Sequence, residues 1–214
     1  AMNRFSALIK PASSLCDMRC RYCFYCDEAA RREQKSYGMM RPETARAVGD
    51  RVFACLSPRA HVNFAFQGGE PTLAGLEFFR DFVAYAEAAN SSNFRLAWSI
   101  QTNGLSIDEE WAAFFAQKHF LVGLSLDASG EFHDQNRLDA TGRGTFSRVM
   151  RARRALLRAG VRIYEYTPGF IHAKSYLSDD TTGVVGTINM DYRSLYLHFE
   201  CGTYLYRTPA LQAL

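Results

Sequence analysis

Along residues 1–160, hydrophobic and polar positions follow two alternating periods, and each period predicts one kind of element. The short segments FSALIK, HVNFAF, RLAWSI and FLVGLSL are rich in apolar residues at strand spacing, which predicts four strands. Residues 73–89 repeat their large apolar side chains at helical spacing, which predicts an amphipathic helix. Further helices are predicted from Pro42, from Phe146 and after Ser106, the expected N-cap. Strands that alternate with helices predict a parallel sheet built from βαβ units.

After Gly160 the pattern changes to strands alone. The segments VRIYEY, FIHAKSYLSD and VVGTINM predict a strand and then a hairpin with its turn at residues 180–183. We therefore predict an α/β fold in which four βα units, roughly half of a barrel of about eight, precede a β-rich fragment. The predicted domains are residues 1–160 and 161–214. No low-complexity linker separates them. The segment LLRAGVRIY is typical of a helix that ends in glycine and runs into a β-branched strand, so the junction is expected within residues 156–162.

Composition and charge exclude several classes of protein. A chain of 214 residues with 48% hydrophobic content can bury a sizeable core. The net charge of +3 is too mild to predict a nucleic-acid partner, and the arginines of residues 148–158 are interpreted as a solvated helix face. No apolar run approaches the about 18 residues of a membrane span, and no secretory signal is visible. These absences predict a cytoplasmic protein with no transmembrane segment.

Three cysteines lie close together in the segment PASSLCDMRCRYCFYC. Cys16, Cys20 and Cys23 form a CxxxCxxC run, with Tyr22 directly before the last cysteine. Three thiolates on one loop can hold three irons of a 4Fe–4S cluster and leave the fourth iron open to a small molecule. The alternatives are a zinc site, for which Cys26 is near enough to be a fourth ligand, or three unrelated buried thiols.

Polar and glycine residues follow three of the predicted strands. Because parallel strands present their chemistry at their carboxyl ends, these residues are candidates for a ligand site. The alternative is that GGEP is only a turn and that Ser99 and Asn103 serve the turn TNG. The candidates are Gln67, Gly68, Gly69, Glu70 and Pro71 in FQGGEP, Ser99, Gln101 and Asn103 in SIQTNG, and Ser125 and Asp127 in GLSLD.

Together with the flanking segments LIKPASSLC and CFYC, these motifs resemble the radical S-adenosylmethionine (SAM) enzymes. Within these enzymes, they resemble the anaerobic sulfatase-maturating branch. The resemblance implies a partial radical SAM barrel with a 4Fe–4S cluster on the three cysteines and SAM at the open iron. It implies that the backbone and carboxylate of GGEP receive the amino group of SAM, and that the strand-end polar residues face its ribose and methionyl groups.

The resemblance further implies a reaction in which an electron from the cluster splits SAM into methionine and a 5′-deoxyadenosyl radical. In the branch resembled, the radical takes hydrogen from a Cys or Ser side chain of a sulfatase polypeptide, which becomes formylglycine. The branch's later strands, its acid–base group and its auxiliary-cluster domain have no counterpart here. The core is therefore expected to be incomplete.

Two further matches to the branch are left without an assigned chemistry. Tyr25 matches an aromatic position, or else packs beside Phe24. HDQNR, with His133 and Arg137, also matches the branch, and the alternative is a solvated loop.

A different motif occupies residues 161–214. His172, Lys174 and Asp179 form HxKxxxxD, followed by GTxN with Asn189. Because residues two apart in a strand share a face, His172 and Lys174 can converge on one phosphate. The segment resembles the C-terminal part of a bacterial cardiolipin synthase, of the phospholipase D family.

That second resemblance implies a phospholipid partner. It implies that His172 attacks phosphorus, that Lys174 and Asn189 neutralise the phosphoryl oxygens, and that the motif acid Asp179 or the downstream Glu200 orients the imidazole. Glu200 is equally explained as a surface carboxylate. The family needs two such motifs and this chain has one, so a half-site in a chimeric or mis-joined chain is expected.

Overall fold

The computed structural model describes residues 4–23, 25, 31–127, 129–161, 174–178, 182–186 and 202–208. It divides into two compact units, Ala1–Ile163 and Tyr164–Leu214. The elements of the first unit are β1 (Arg4–Ile9), α1 (Pro42–Ala54), β2 (His61–Phe66), a 3₁₀ turn (Pro71–Ala74), α2 (Leu76–Ala88), β3 (Arg95–Thr102), α3 (Glu109–Gln117), β4 (Leu121–Leu124), α4 (Gly130–Asn136) and α5 (Phe146–Arg158).

Strands β1 to β4 form one sheet in sequence order, and every neighbouring pair is parallel. The four predicted strand segments are therefore confirmed as a parallel sheet with helical crossovers. Parallel pairing places all four carboxyl ends at one edge of the sheet. The loops that carry the cysteines, the GGEP segment, Asn103 and Ser125 begin at that edge.

The core of the first unit lies between the sheet and its helices. Alternate residues of β2 point into it, so that Val62, Phe64 and Phe66 are buried while the residues between them are not. Phe64 lies at the centre, with ring contacts to Phe53, Phe82 and Trp98. Burying a side chain of this size stabilises the fold by about 1.5 to 3 kcal/mol.

One local prediction is wrong. The N-cap of α3 is Asp108 and not Ser106, because the Asp108 carboxylate accepts a hydrogen bond from the Trp111 amide at 3.0 Å. The segment HDQNR, for which a solvated loop was the alternative, lies mostly in α4, whose N-cap Ser129 accepts from the Phe132 amide.

The second unit is described only at its strands β5 (Lys174–Ser178), β6 (Thr182–Gly186) and β7 (Gly202–Tyr206). They form an antiparallel sheet in this order, which confirms the predicted hairpin. The predicted turn at residues 180–183 is too long, because Thr182 and Gly183 already belong to β6 and are paired with Ser178 and Leu177. A strand accepts glycine there because its ladder is made by main-chain groups. Among the described residues, no helix is long and apolar enough to cross a membrane.

Candidate metal centre and SAM site

The three cysteines lie on the loop that follows β1. Cys16, Cys20 and Cys23 are free thiols of intermediate exposure, whereas Cys55, at the end of α1, is exposed. This loop, residues 10–23, is held on two sides by other parts of the first unit. We call it the cysteine loop.

On the Cys16 side, the cysteine loop contacts the GGEP segment through the main chain. The amide of Gly69 donates to the carbonyl of Ser13 at 2.9 Å, and the amide of Glu70 donates to the carbonyl of Leu15 at 2.7 Å. A Cβ atom on Gly69 would lie 2.1 Å from the Leu15 carbonyl oxygen, so only glycine permits this approach. Gly68 also has a φ of +128°, which favours glycine. The two glycines therefore join the two loops.

Glu70 connects the GGEP segment to the end of β3. Its side chain is buried, and one carboxylate oxygen accepts from the amide and hydroxyl of Thr72 and from the hydroxyl of Thr102. The other oxygen accepts from the amide of Asn103 at 2.7 Å. Burial raises the pKa of this carboxyl group, and the four hydrogen bonds oppose that rise. The predicted contact between Glu70 and the amino group of SAM stays a prediction. In this structure the Glu70 carboxylate accepts its four hydrogen bonds from donors of the chain itself.

On the other side, the cysteine loop pairs with residues 136–140. The amide of Arg19 donates to the carbonyl of Leu138 at 2.7 Å, and that of Arg21 to the carbonyl of Asn136 at 2.9 Å. The amide of Ala140 returns a bond to the carbonyl of Asp17. Residues 17–21, which include Cys20, therefore lie along the segment that follows α4.

Side chains strengthen this second contact. The hydroxyl of Tyr22 donates to Asp127 at 2.8 Å, and Arg137 binds both oxygens of the same carboxylate at 3.1 Å. The Arg137 guanidinium also lies 5.3 Å from the centre of the Tyr22 ring. Burial alone would raise the pKa of Asp127, but the hydrogen bonds from Arg137 and Tyr22 lower it. Tyr22, Asp127 and Arg137 are named here the Tyr–Asp–Arg group.

His133 is hydrogen-bonded to the main chain of this group, directly at Asp127 and through Thr145 at Arg137. The alternative that HDQNR is a solvated loop is therefore wrong for this residue. The imidazole is fully buried, and its Nδ1 accepts from the amide of Asp127 at 3.3 Å. Nε2 lies 3.0 Å from the hydroxyl of Thr145, which donates its own hydrogen to the carbonyl of Arg137. Nε2 therefore carries the ring proton in this arrangement. Burial lowers the pKa of His133, which keeps the ring neutral.

The donors of the cysteine loop fit an iron–sulfur cluster. The Cys16 sulfur accepts from the amide of Met18 at 3.4 Å and from the amide nitrogen of Asn103 at 3.7 Å. Burial raises the pKa of Cys16 to about 12 and also raises that of Cys20, so these thiols would need a bound cation to ionise.

Within the described ranges, no three or more His, Cys, Asp or Glu side chains are gathered closely enough to hold a metal ion. Cys26, the alternative fourth zinc ligand, lies outside the described residues.

The polar residues predicted at the strand ends fall into two sets. The amide of Gln101 donates to the hydroxyl of Ser125 at 3.0 Å, so these two side chains lie together where β3 and β4 end. Ser99 instead donates to Asn63, which in turn donates to Ser6, in a row across the sheet. Among the remaining predicted residues, the amide of Gln67 donates to the carbonyl of Ile9, and Pro71 begins the 3₁₀ turn.

The other predicted residues are less informative. Lys10 lies over the Tyr25 ring, at 5.2 Å from its centre. Lys174 begins β5, while His172, Asp179, Asn189 and Glu200 lie outside the described residues. The sequence placed Asn103 and Asp127 among the polar residues at the strand ends, but their contacts with the cysteine loop were not predicted. Arg137 was left without an assigned chemistry. The motif HDQNR was the available signal for Arg137, but only the packing of α4 reveals its partners.

Comparison with known proteins gives the class of protein. The family profile for the radical SAM superfamily matches residues 11–173, and a profile for the cardiolipin synthase, PLD-like domain matches residues 138–214. The first match spans most of the chain. The chain belongs to the radical SAM superfamily.

Individual relatives narrow the similarity. The cysteine-type anaerobic sulfatase-maturating enzyme of Clostridium novyi is 48% identical over 149 residues, which are 70% of this chain and 39% of that relative. The serine-type enzyme of Klebsiella aerogenes is 33% identical over 69% of this chain and 35% of its own length. The solved structure of native anSMEcpe with bound AdoMet and Kp18Cys peptide matches with a TM-score of 0.67 and 46% identity, over 74% of this chain and 41% of that one. This chain thus spans about two fifths of the length of the relatives it matches.

Proposed function

We propose that the first unit holds a 4Fe–4S cluster on Cys16, Cys20 and Cys23 and binds SAM at the iron that has no protein ligand. The observation that carries this proposal is the pair of main-chain hydrogen bonds from Gly69 and Glu70 to the cysteine loop. They hold the GGEP segment against the part of the cysteine loop that leads into Cys16. When bound, the cluster supplies the electron that splits SAM into methionine and a 5′-deoxyadenosyl radical.

The residues around the thiols have separate tasks in this proposal. The main chain of residues 67–71 receives the amino group of SAM, and Glu70 holds that main chain in place through its four hydrogen bonds. Gln101 and Ser125, which lie together at the strand ends, contact the ribose and methionyl groups. Ser99 supports them from the polar row of the sheet. Free thiols at this site suit a reducing, cytoplasmic compartment.

We further propose that the substrate is a sulfatase polypeptide whose target Cys or Ser side chain is oxidised to formylglycine. The similarity to the cysteine-type and serine-type sulfatase-maturating enzymes supports this class of substrate. The solved relative with bound AdoMet and Kp18Cys peptide supports a site in which SAM and a peptide are bound together.

SAM cleavage tests the proposal. The full chain is reconstituted anaerobically with iron and sulfide, supplied with dithionite and SAM, and assayed for 5′-deoxyadenosine. Slow cleavage is expected, and Cys20→Ala is expected to abolish it. Loss of one hydrogen bond in Ser125→Ala is expected to weaken SAM binding about five- to tenfold. The control is Ser147→Ala, a substitution at an exposed residue, which should bind SAM as the unmodified chain does. Cleavage that is unchanged by Cys20→Ala contradicts the proposal.

A second candidate function rests on the match of residues 138–214 to the cardiolipin synthase, PLD-like domain. In this candidate the chain is chimeric, and His172, Lys174, Asp179 and Asn189 form half of a phosphatidyl-transfer site for a phospholipid. Because two such motifs are needed and the chain has one, transfer between phospholipids is expected to be undetectable. Transfer that is present in the full chain and absent from His172→Ala would establish this second function instead.

A further inference from the structure

The Tyr–Asp–Arg group places one cation next to the cysteine loop. Arg137 lies over the Tyr22 ring, which is directly before Cys23, and its side chain is only 17% exposed. Its Nε and Nη2 atoms bind Asp127.

Main-chain hydrogen bonds hold Arg137 against the cysteine loop. The amide of Arg21 donates to the carbonyl of Asn136, and that of Arg19 donates to the carbonyl of Leu138, so the residues on both sides of Arg137 pair with the segment that contains Cys20. A cation held beside a metal centre favours additional negative charge on that centre.

We propose that Arg137, balanced by Asp127, sets the reduction potential of the iron–sulfur cluster that the cysteine loop binds. This inference rests on the proposed function, because it requires the cluster. Reduction by dithionite adds one electron and makes the cluster one charge more negative, with no bond formed or broken. The Arg137 cation favours this added charge, and the Asp127 carboxylate opposes it. Arg137 is a tuning residue in this proposal and takes no part in bond cleavage.

Because the two charges are opposite, the proposal predicts that removing one or the other shifts the reduction potential of the cluster in opposite directions. In Arg137→Gln, Asp127 is left unbalanced, so the potential becomes more negative. In Asp127→Asn, Arg137 is left unbalanced, so the potential becomes more positive. Each change is expected to alter the ratio of reduced to oxidised cluster about tenfold at a fixed potential, which is about 59 mV for one electron.

The chain offers a closely matched control. Arg46 binds both oxygens of Asp81 and lies 5.4 Å from the centre of the Tyr85 ring, between α1 and α2. Arg46→Gln therefore breaks the same kind of pair and makes the same change in net charge, but on helices that do not carry the cysteine loop. We expect its cluster potential to equal that of the unmodified chain.

The experiment is a mediated redox titration of each reconstituted full chain, followed by visible absorption and electron paramagnetic resonance, with iron per chain measured first. Opposite shifts in Arg137→Gln and Asp127→Asn, no shift in Arg46→Gln, and a potential close to that of the unmodified chain in Arg137→Lys support the proposal. Equal potentials in all variants overturn it, as do shifts of the same sign.

If one variant takes up no cluster, the sign of the shift in reduction potential in the remaining variants tests the proposal. If Arg137→Gln, Asp127→Asn and Arg137→Lys all lose the cluster, the group only holds the loop, and the proposal is overturned. An unmodified chain that takes up no cluster overturns the proposed function itself, so the two failures are distinguishable.

Discussion

At the scale of single residues, the candidate site depends on buried polar groups that satisfy one another. Glu70 accepts four hydrogen bonds from three residues, and His133 uses both ring nitrogens within the chain. Groups of this kind are costly to disturb, because a buried donor left without a partner has also lost its water. The surroundings of the cysteines are therefore preorganised by residues that do not themselves bind iron.

Glu70→Gln tests this arrangement. Either placement of the new amide sets its NH₂ group against at least one main-chain N–H donor, that of Thr72 or that of Asn103. We expect the free energy of unfolding to fall by about 2 to 3 kcal/mol, measured by urea denaturation. Glu77→Gln is the control, because that carboxylate is 82% exposed and its ion pair with Arg80 lies on the surface, so its loss should cost less than about 1 kcal/mol. Equal effects of the two substitutions would contradict the account.

At the scale of elements, the cysteine loop is held between two others. The GGEP segment binds it on the Cys16 side, and residues 136–140 bind it on the Cys20 side. Both contacts consist mainly of main-chain hydrogen bonds, so they depend on how closely the backbones approach. Changes of backbone or of loop geometry should therefore affect the site more than many side-chain truncations do.

Gly69→Ala tests the first contact. The added Cβ would meet the Leu15 carbonyl oxygen at 2.1 Å and main-chain carbon atoms at 2.6 and 2.7 Å, so the two loops must separate. We expect a loss of stability of about 1 to 3 kcal/mol and reduced SAM binding, measured by urea denaturation and equilibrium dialysis. Gly49→Ala is the control. Gly49 lies within α1, and its added Cβ would meet the Phe82 ring at an ordinary contact distance of 3.7 Å, so this substitution should be neutral or stabilising. SAM binding that is as tight in Gly69→Ala as in Gly49→Ala would refute this explanation.

The second contact can be tested through the pH dependence of stability that the turn at Asp139 confers. The hydroxyl of Thr141 and the amides of Arg143 and Thr141 donate to this carboxylate and hold its pKa well below its usual range. A lowered folded-state pKa gives stability that is present above the unfolded value of about 3.9 and is lost as the pH falls toward the folded value.

We therefore expect Asp139→Asn to lose less stability than the unmodified chain between about pH 5 and about pH 3, measured by urea denaturation across that range. Glu33→Gln, which removes an exposed carboxylate, should keep the original dependence on pH. If Asp139→Asn follows the same pH profile as the unmodified chain, the turn does not contribute in this way.

The pattern of apolar residues was sufficient to predict the strands and long helices of the first unit. HVNFAF, for example, matches β2 residue for residue, because strand alternation is visible in the sequence. The helix α4 was missed, since a seven-residue helix is too short to show a period. The contact of Arg137 with Tyr22 could not be predicted, because the two residues are far apart in the chain and only tertiary packing brings them together. The cysteine spacing supplied candidate ligands, which stay a prediction, but not the two contacts that hold their loop.

At the scale of the whole molecule, two units carry two different motifs. The first unit has the parallel sheet and the cysteine loop of a radical SAM protein. The second is an antiparallel sheet, and its match to the cardiolipin synthase, PLD-like domain begins at residue 138, within the range of the first match. The chimeric organisation with a junction in residues 156–162 stays a prediction. The candidate site for the cluster and SAM lies in the first unit.

The most direct test of the account is the iron and sulfide content of the full chain after anaerobic reconstitution, compared among its cysteine variants. We predict about four irons per chain in the unmodified protein and in Cys55→Ala, whose thiol is exposed at the end of α1. We predict a large loss of iron in Cys16→Ala, Cys20→Ala and Cys23→Ala. Iron uptake that is unaffected by Cys20→Ala, or a single tightly bound zinc ion in place of iron, would contradict the central claim that the cysteine loop holds a 4Fe–4S cluster.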